Sequence, residues 1–251
     1  VLPLEADRTD FDNHENIRLD VLNALRAKAK SFGLWAPQVS QDRGGLGLPV
    51  LGWAAIYEEA NRSIFGPVTL NCAAPDDGNM SLLAKVGTDA QKDKWLQPIV
   101  DCKVRSAFVM TEPAPGSGSD PSMMLTKAIK TGDTWRITGH KWFITGAAEA
   151  NHFILIARTS DDARKGLTAS VFHKDQPGWS IERRIPIMGP GEHGGHCELS
   201  FDGIEIKDQD RLMGVGDGLK VTQIRLGPAR LTPVSYTHLR AHETLRYIVC
   251  R

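Results

Sequence analysis

Residues with chemical potential gather in two short runs, Thr111 to Asp120 and Lys141 to Gly146. The first follows Ala107-Phe108-Val109-Met110, an apolar run that predicts a strand, and reads Thr-Glu-Pro-Ala-Pro-Gly-Ser-Gly-Ser-Asp. A loop this rich in Pro, Gly and Ser exposes backbone N–H groups and small hydroxyls, and lets a phosphate or flat ring approach the main chain. The second run, Lys141-Trp142-Phe143-Ile144-Thr145-Gly146, predicts a short strand whose period of two puts the Phe143 ring and the Thr145 hydroxyl on one face. An aromatic wall, a hydroxyl and a Gly/Ser loop are what binding a large, planar, phosphorylated cofactor requires. The same residue types also build ordinary loops and core strands, so by themselves they leave both readings open.

Taken together, Thr111-Glu112-Pro113, Gly118-Ser119-Asp120 and Lys141-Trp142-Phe143-Ile144-Thr145-Gly146 resemble the flavin-binding β-domain of acyl-CoA dehydrogenases. The resemblance implies FAD as cofactor, with Phe108, Met110 and Thr111 lining the isoalloxazine ring and Thr111 donating to its polar edge. Ser119 matches the serine that reaches the pyrophosphate; this loop is longer than the family's, so Ser117 competes for the role. Phe143 matches the aromatic that stacks on the ring, and Thr145 the hydroxyl near flavin N5. Arg230, in Pro228-Ala229-Arg230-Leu231, matches an arginine at the acyl-CoA pocket.

The implied reaction is α,β-desaturation of an acyl-CoA thioester. A carboxylate takes the α-proton, the β-hydrogen leaves as hydride to N5, and an electron-transferring flavoprotein reoxidises the flavin. Hydrogen bonds to the thioester carbonyl must stabilise the developing enolate. Most members carry the base as a glutamate far into a second helical domain; a minority place it just before the arginine matching Arg230, where this chain has Ala229. No catalytic residue is therefore assigned, and the chain as given is expected to be inactive. The family forms homodimers or homotetramers. The TEPAPG loop and the GPARLT segment look most like a branch with multidomain members carrying a phosphotransferase-like domain, which leans toward long or oxygenated acyl chains. Competing readings are another flavin reaction on the same scaffold, such as nitroalkane oxidation or flavin-dependent hydroxylation, and a β-domain kept as an interaction module.

The elements that must position these residues follow from periodicity. A helix is expected from Asn16, with Ile17, Val21, Ala24, Leu25 and Ala29 inward and Arg18, Arg26, Lys28 and Lys30 outward, ending at Gly33. Gly44-Gly45-Leu46-Gly47 lacks the third glycine and the strand-to-helix setting of a dinucleotide fingerprint, and resembles instead the family's turn between early helices. Leu51 to Arg62 predicts a helix with Leu51, Ala54, Ala55 and Ile56 inward, and another starts at Asn79. Thr88 and Gln91 form a capping box ahead of Trp95, Leu96, Ile99 and Val100. From Ser106 strands recur at short intervals between turn formers at Thr131-Gly132-Asp133, Gln176-Pro177-Gly178 and Asp202-Gly203, which predicts an antiparallel barrel or sandwich. Gly214 to Thr232 reads as a Gly-rich loop entering a helix. The expected fold is α+β and acyl-CoA dehydrogenase-like. Its parts are a helical domain over 1–105, a flavin-binding β-domain over 106–212, and the start of a cut-off second helical domain over 213–233.

The 251 residues suffice for one large or two modest domains, and their 30 basic and 30 acidic side chains balance with no basic block, which argues against nucleic acid as a partner. No run approaches the length of a membrane span, and no signal peptide is visible. Four dispersed cysteines fit a reducing compartment, a bacterial cytoplasm or, in a eukaryote, mitochondria or peroxisomes. Glu192-His193-Gly194-Gly195-His196-Cys197 holds metal-ligand types, but its two glycines favour a solvated turn. Val234 to Thr244 resembles the translation of a sequencing-library transposon adapter, so residues 234–251 are expected to be a non-native tail. Their three arginines and one glutamate removed, the net charge becomes −2.

Overall fold

The computed structural model describes residues 7–12, 16–118, 120–162, 164–187 and 194–227; Ser119, Ala229, Arg230 and the tail from Val234 lie outside them. Helices come first: α1 (Leu19–Ser31), α2 (Val50–Ala60), α3 (Gly66–Thr69), α4 (Asp76–Val86), α5 (Asp89–Gln91) and α6 (Gln97–Val100), with a π-turn over Lys92–Leu96 joining the last two. Eight strands follow: β1 (Arg105–Val109), β2 (Lys127–Thr131), β3 (Thr134–Thr145), β4 (Ala150–Arg158), β5 (Leu167–His173), β6 (Trp179–Ile185), β7 (His196–Lys207) and β8 (Arg211–Leu212). A helix over 218–227, α7, ends the described chain.

The expected capping box is present: the Thr88 side chain accepts from Gln91 N, and Gln91 Oε1 accepts from Thr88 N at 3.0 Å. Two helix faces differ from expectation. On α1 the buried residues are Leu22, Arg26 and Ala29, while Ala24 is exposed. Arg26 turns inward because its stem packs as an apolar side chain while its Nε donates to Val68 O at 3.3 Å, at the C-terminal end of α3. On α2 the buried residues are Tyr57 and Ala60; Leu51, Ala54 and Ala55 face out. A helix rich in apolar residues has no single stripe from which its inner face can be read.

The sheet runs β6-β7-β3-β2-β4-β5-β8, with β1 added on β4. Most pairs are antiparallel as expected, but β1–β4 and the single β2–β4 pair, Lys127↔Arg158, are parallel, so the sheet is mixed. It curls on itself: β5 and β7, with three strands between them in that order, meet through the Phe172 and Phe201 rings, 5.9 Å between centroids. Asp202-Gly203, expected as a turn, lies inside β7, where Ile204 pairs with Ile137 and Asp202 with Thr138. Gly203, at φ +74°, is the extra residue of a bulge that bends the strand instead of ending it.

β4 is buried on both faces, and its period of two divides the core. Phe153, Leu155 and Ala157 join β1, β3, β5 and β7 in the sheet interior, with Trp179 against them. Ile154 and Ile156 point the other way, onto Met80 and Leu83 of α4, Trp95 and Leu96, and Ile99 and Val100 of α6. The helices thus cover one side of the sheet, and the ends of β1 and β3 emerge at the border.

Candidate functional site

At that border is a cavity of about 280 Å³. Phe108, Met110 and Thr111 from the end of β1 line it, with Phe143, Ile144 and Thr145 from the end of β3, Pro75 beside α4, and Arg225 and Leu226 from α7. β1 supplies its residues by alternation, since Ala107 and Val109 turn into the sheet interior and leave Phe108 and Met110 on the cavity side. β3 does not. Its register shifts between Lys141 and Ile144, so the simple two-residue spacing expected for Phe143 and Thr145 is interrupted. Phe143 takes φ +52° and leaves its ring 46% exposed at the cavity. A left-handed conformation costs a bulky residue roughly 1–2 kcal/mol and persists only where neighbours impose it. Here Trp142 N donates to Thr111 O at 3.0 Å on one side, and Thr145 pairs with His196 on the other.

The two motif runs are locked together by a pair that sequence reasoning did not single out. Glu112 and Lys141 are 2% and 0% exposed, with Nζ 3.0 Å from Oε1. Lys141 Nζ also donates to Met110 O at 2.8 Å. Glu112 accepts from Leu125 N at 2.7 Å, Thr126 N at 2.9 Å and Ser117 N at 3.3 Å. Burial pushes the Glu112 carboxyl up, but the Lys141 ammonium and these amides outweigh it and hold the group below its ordinary range. Burial takes the Lys141 ammonium down to about 8, against the opposing pull of Glu112. The loop folds over the carboxylate because residue 116 is glycine; a Cβ there would lie 2.4 Å from Glu112 Oε2. The signal was present in the sequence as one acid and one base, each inside a motif half.

α7 is held by a second buried network. Asp76 accepts from Ser106 N at 2.7 Å and from its Oγ at 2.6 Å, and pairs with Arg105. Asn79 Nδ2 donates to Ser106 Oγ at 2.9 Å, and Arg225 Nε donates to Asn79 Oδ1 at 2.8 Å. Arg225 Nη2 adds a bond to Pro75 O at 3.1 Å, and the guanidinium lies 5.3 Å from the Phe108 ring centroid. This seats a cation on the cavity wall, in space that Gly78 leaves open. Burial lowers the Arg225 pKa, which Asp77 and Asp76 oppose.

Five of the expected cofactor residues, Phe108, Met110, Thr111, Phe143 and Thr145, meet at this cavity. Ser117 is fully buried behind the loop, its Oγ donating to Met110 O at 3.4 Å, and is not on the cavity wall. Among the described residues no group of three or more His, Cys, Asp or Glu could hold a metal. Gly194 and Gly195, expected in a solvated turn, are buried and pinned to the β3 end: Gly146 N donates to Gly195 O at 2.7 Å and Ala148 N to Gly194 O at 3.1 Å. A Cβ at Gly194 would lie 2.5 Å from Gly146 O. This contact carries His196 to Thr145.

A flat apolar wall, a half-exposed aromatic ring on a strained bulge, two hydroxyls and a cation define a site suited to a planar heteroaromatic ring, at the seam of an α+β fold. The isoalloxazine of FAD fits that donor set. The acyl-CoA dehydrogenase N-terminal domain model matches residues 4–103 and the middle domain model residues 107–204. The chain belongs to the acyl-CoA dehydrogenase family. It is 38% identical, over 92% of its length, to the "Probable acyl-CoA dehydrogenase FadE2" of Mycobacterium tuberculosis, and 34% identical, also over 92%, to acyl-CoA dehydrogenase family member 11 of Gallus gallus. The structure of butyryl-CoA dehydrogenase from Megasphaera elsdenii superposes at a TM-score of 0.71, with 28% identity over 86% of this chain. The chain spans 58%, 30% and 55% of these three proteins.

Proposed function

We propose that this chain supplies the flavin wall of an FAD-dependent acyl-CoA dehydrogenase that desaturates an acyl-CoA thioester at the α,β-position. The observation that carries the reading is the convergence of Phe108, Met110, Thr111, Phe143 and Thr145 on one cavity from two separate strands. FAD, when bound, would accept the β-hydrogen as hydride. The chain's own residues hold the ring plane with Phe143, Phe108 and Met110, offer hydroxyls at Thr111 and Thr145, and fix the spacing of the two strand ends through Glu112 and Lys141. Ser119 is proposed for the pyrophosphate and Arg230 for the acyl-CoA pocket. The whole protein would pass electrons to an electron-transferring flavoprotein and work as a homodimer or homotetramer. The proposed domain division remains 1–105, 106–212 and 213–233.

None of the described residues lining this cavity is a carboxylate, so the abstraction of the α-proton is not assigned to them. The test is anaerobic mixing of the FAD-loaded chain with acyl-CoA esters of graded length, watched at the flavin absorbance band. The expected result is a shifted flavin spectrum without bleaching. Prompt bleaching with any ester would show that a base lies within these 251 residues and overturn the reading of Ala229.

A further inference from the structure

Among the described residues the Gly194-Gly195-His196 turn belongs to no metal-binding cluster, yet it is not idle. Thr145 and His196 face each other across β3 and β7, and the Thr145 Oγ1 lies 3.0 Å from His196 Nδ1. Thr145 also lines the cavity, so its hydroxyl stands between the imidazole and whatever occupies that space. A hydroxyl has one hydrogen to donate and lone pairs to accept with. If Nδ1 is bare, the Thr145 hydrogen points back to it and the cavity meets a lone pair. If Nδ1 carries the proton and donates, the hydroxyl hydrogen is released toward the cavity.

We infer that His196 is a positioning residue: its Nδ1–H donates to Thr145 Oγ1 and turns the Thr145 hydroxyl into a donor toward the ring bound in the cavity. The inference rests on the flavin reading above, because an oxidised isoalloxazine presents mainly ring-nitrogen and carbonyl acceptors at its edge, which a lone pair would repel. The backbone serves this arrangement. The Gly195 carbonyl on Gly146 N and the absence of a Cβ at Gly194 fix the turn against the β3 end, and the Thr145–His196 register follows. A threonine with the opposite polarity would occupy the same space with the wrong hydrogen-bonding sense.

Two measurements test this. In the first, FAD dissociation constants are compared for the unaltered chain and for Thr145→Val, His196→Phe, His196→Asn and the Thr145→Val/His196→Phe pair, with thermal unfolding as a fold control. Loss of one neutral hydrogen bond should weaken binding about three- to tenfold in each single apolar variant. The double variant should lose no more than either single one, and His196→Asn, whose side-chain amide can stand where Nδ1 stood, should restore binding. Additive losses, or no rescue by asparagine, would overturn the positioning role. In the second, nitrogen-15 NMR of the histidine rings reads the tautomer without any flavin. A protonated, hydrogen-bonded Nδ1 on His196 whose signal moves in Thr145→Val supports the inference; a bare Nδ1 overturns it. Should the unaltered chain bind no FAD, the flavin reading falls while the ring spectrum still decides how Thr145 is held.

Discussion

Lys141→Met isolates the contribution of the buried pair that joins the two motif runs. Methionine keeps most of the side-chain volume and deletes the ammonium. The change removes the ion pair at 3.0 Å and the bond to Met110 O at 2.8 Å, and leaves a carboxylate 2% exposed. Breaking one side of a buried pair costs about 3–5 kcal/mol, because the remaining charge is uncompensated. Three backbone amides still donate to Glu112, so the lower half of that range, about 3 kcal/mol at neutral pH, is expected. The sign with pH is specific. In the native chain Glu112 sits below its ordinary pKa, so its contribution is present above about 4.5 and fades as the pH falls. In Lys141→Met burial dominates and that pKa rises, so protonation relieves the strain and the gap to the native chain narrows from pH 8 to pH 5. Glu112→Gln/Lys141→Met should cost less than the two single changes added. Urea unfolding at both pH values measures all four proteins. A Lys141→Met loss below about 1 kcal/mol, or strict additivity in the double variant, would refute the argument.

Other consequences are independent of that pair. Phe143→Asn relieves a left-handed backbone for a residue that tolerates it, so chemical stability should hold or rise by up to about 1 kcal/mol while FAD affinity falls at least about tenfold. A parallel loss of both would mean the bulge exists for packing alone. Asp208 is held down to about 2 by Arg211 first and then by Trp135, whose Nε1 donates to Oδ1 at 2.6 Å. Its share of stability is present above the ordinary value of 3.8 and is lost as pH falls toward 2, and Asp208→Asn should flatten the acid limb of a thermal-unfolding profile in that window. Gly78→Ala places a Cβ 2.4 Å from the Arg225 guanidinium carbon. It should loosen α7 and cost about 1–3 kcal/mol in denaturant unfolding, whereas Gly118→Ala, with nothing within 4 Å of its Cβ, should cost little.

Much of this was legible in the residues, and the failures have physical causes. The capping box at Thr88 and Gln91 needs four residues and forms as expected, because its partners are local. Five of the cavity residues were legible through two motifs, yet Pro75, Arg225 and Leu226 were not, nor was the means of bringing them together. The Lys141–Glu112 pair joins residues far apart in sequence, and nothing at position 141 alone says that a lysine will be fully buried. Arg26 was expected to face outward for the same reason, since a charge reads as solvent-facing until a carbonyl on another element is seen to receive it. Asp202-Gly203 has turn composition but forms a bulge, because β3 continues beside it and keeps β7 paired on either side. His196 was expected in a solvated turn, and only strand register sets it opposite Thr145.

The central claim is that the cavity between the ends of β1 and β3 and α7 holds the isoalloxazine of FAD. Quenching of flavin fluorescence on titration of FAD into the protein tests it directly, with Thr111→Val and Phe143→Ala as cavity variants and Ile129→Ala, on the exposed face of β2, as a control. Saturable one-to-one binding that weakens in both cavity variants and is unchanged in the control is the predicted result. Absence of binding, or binding indifferent to Thr111 and Phe143, would contradict it.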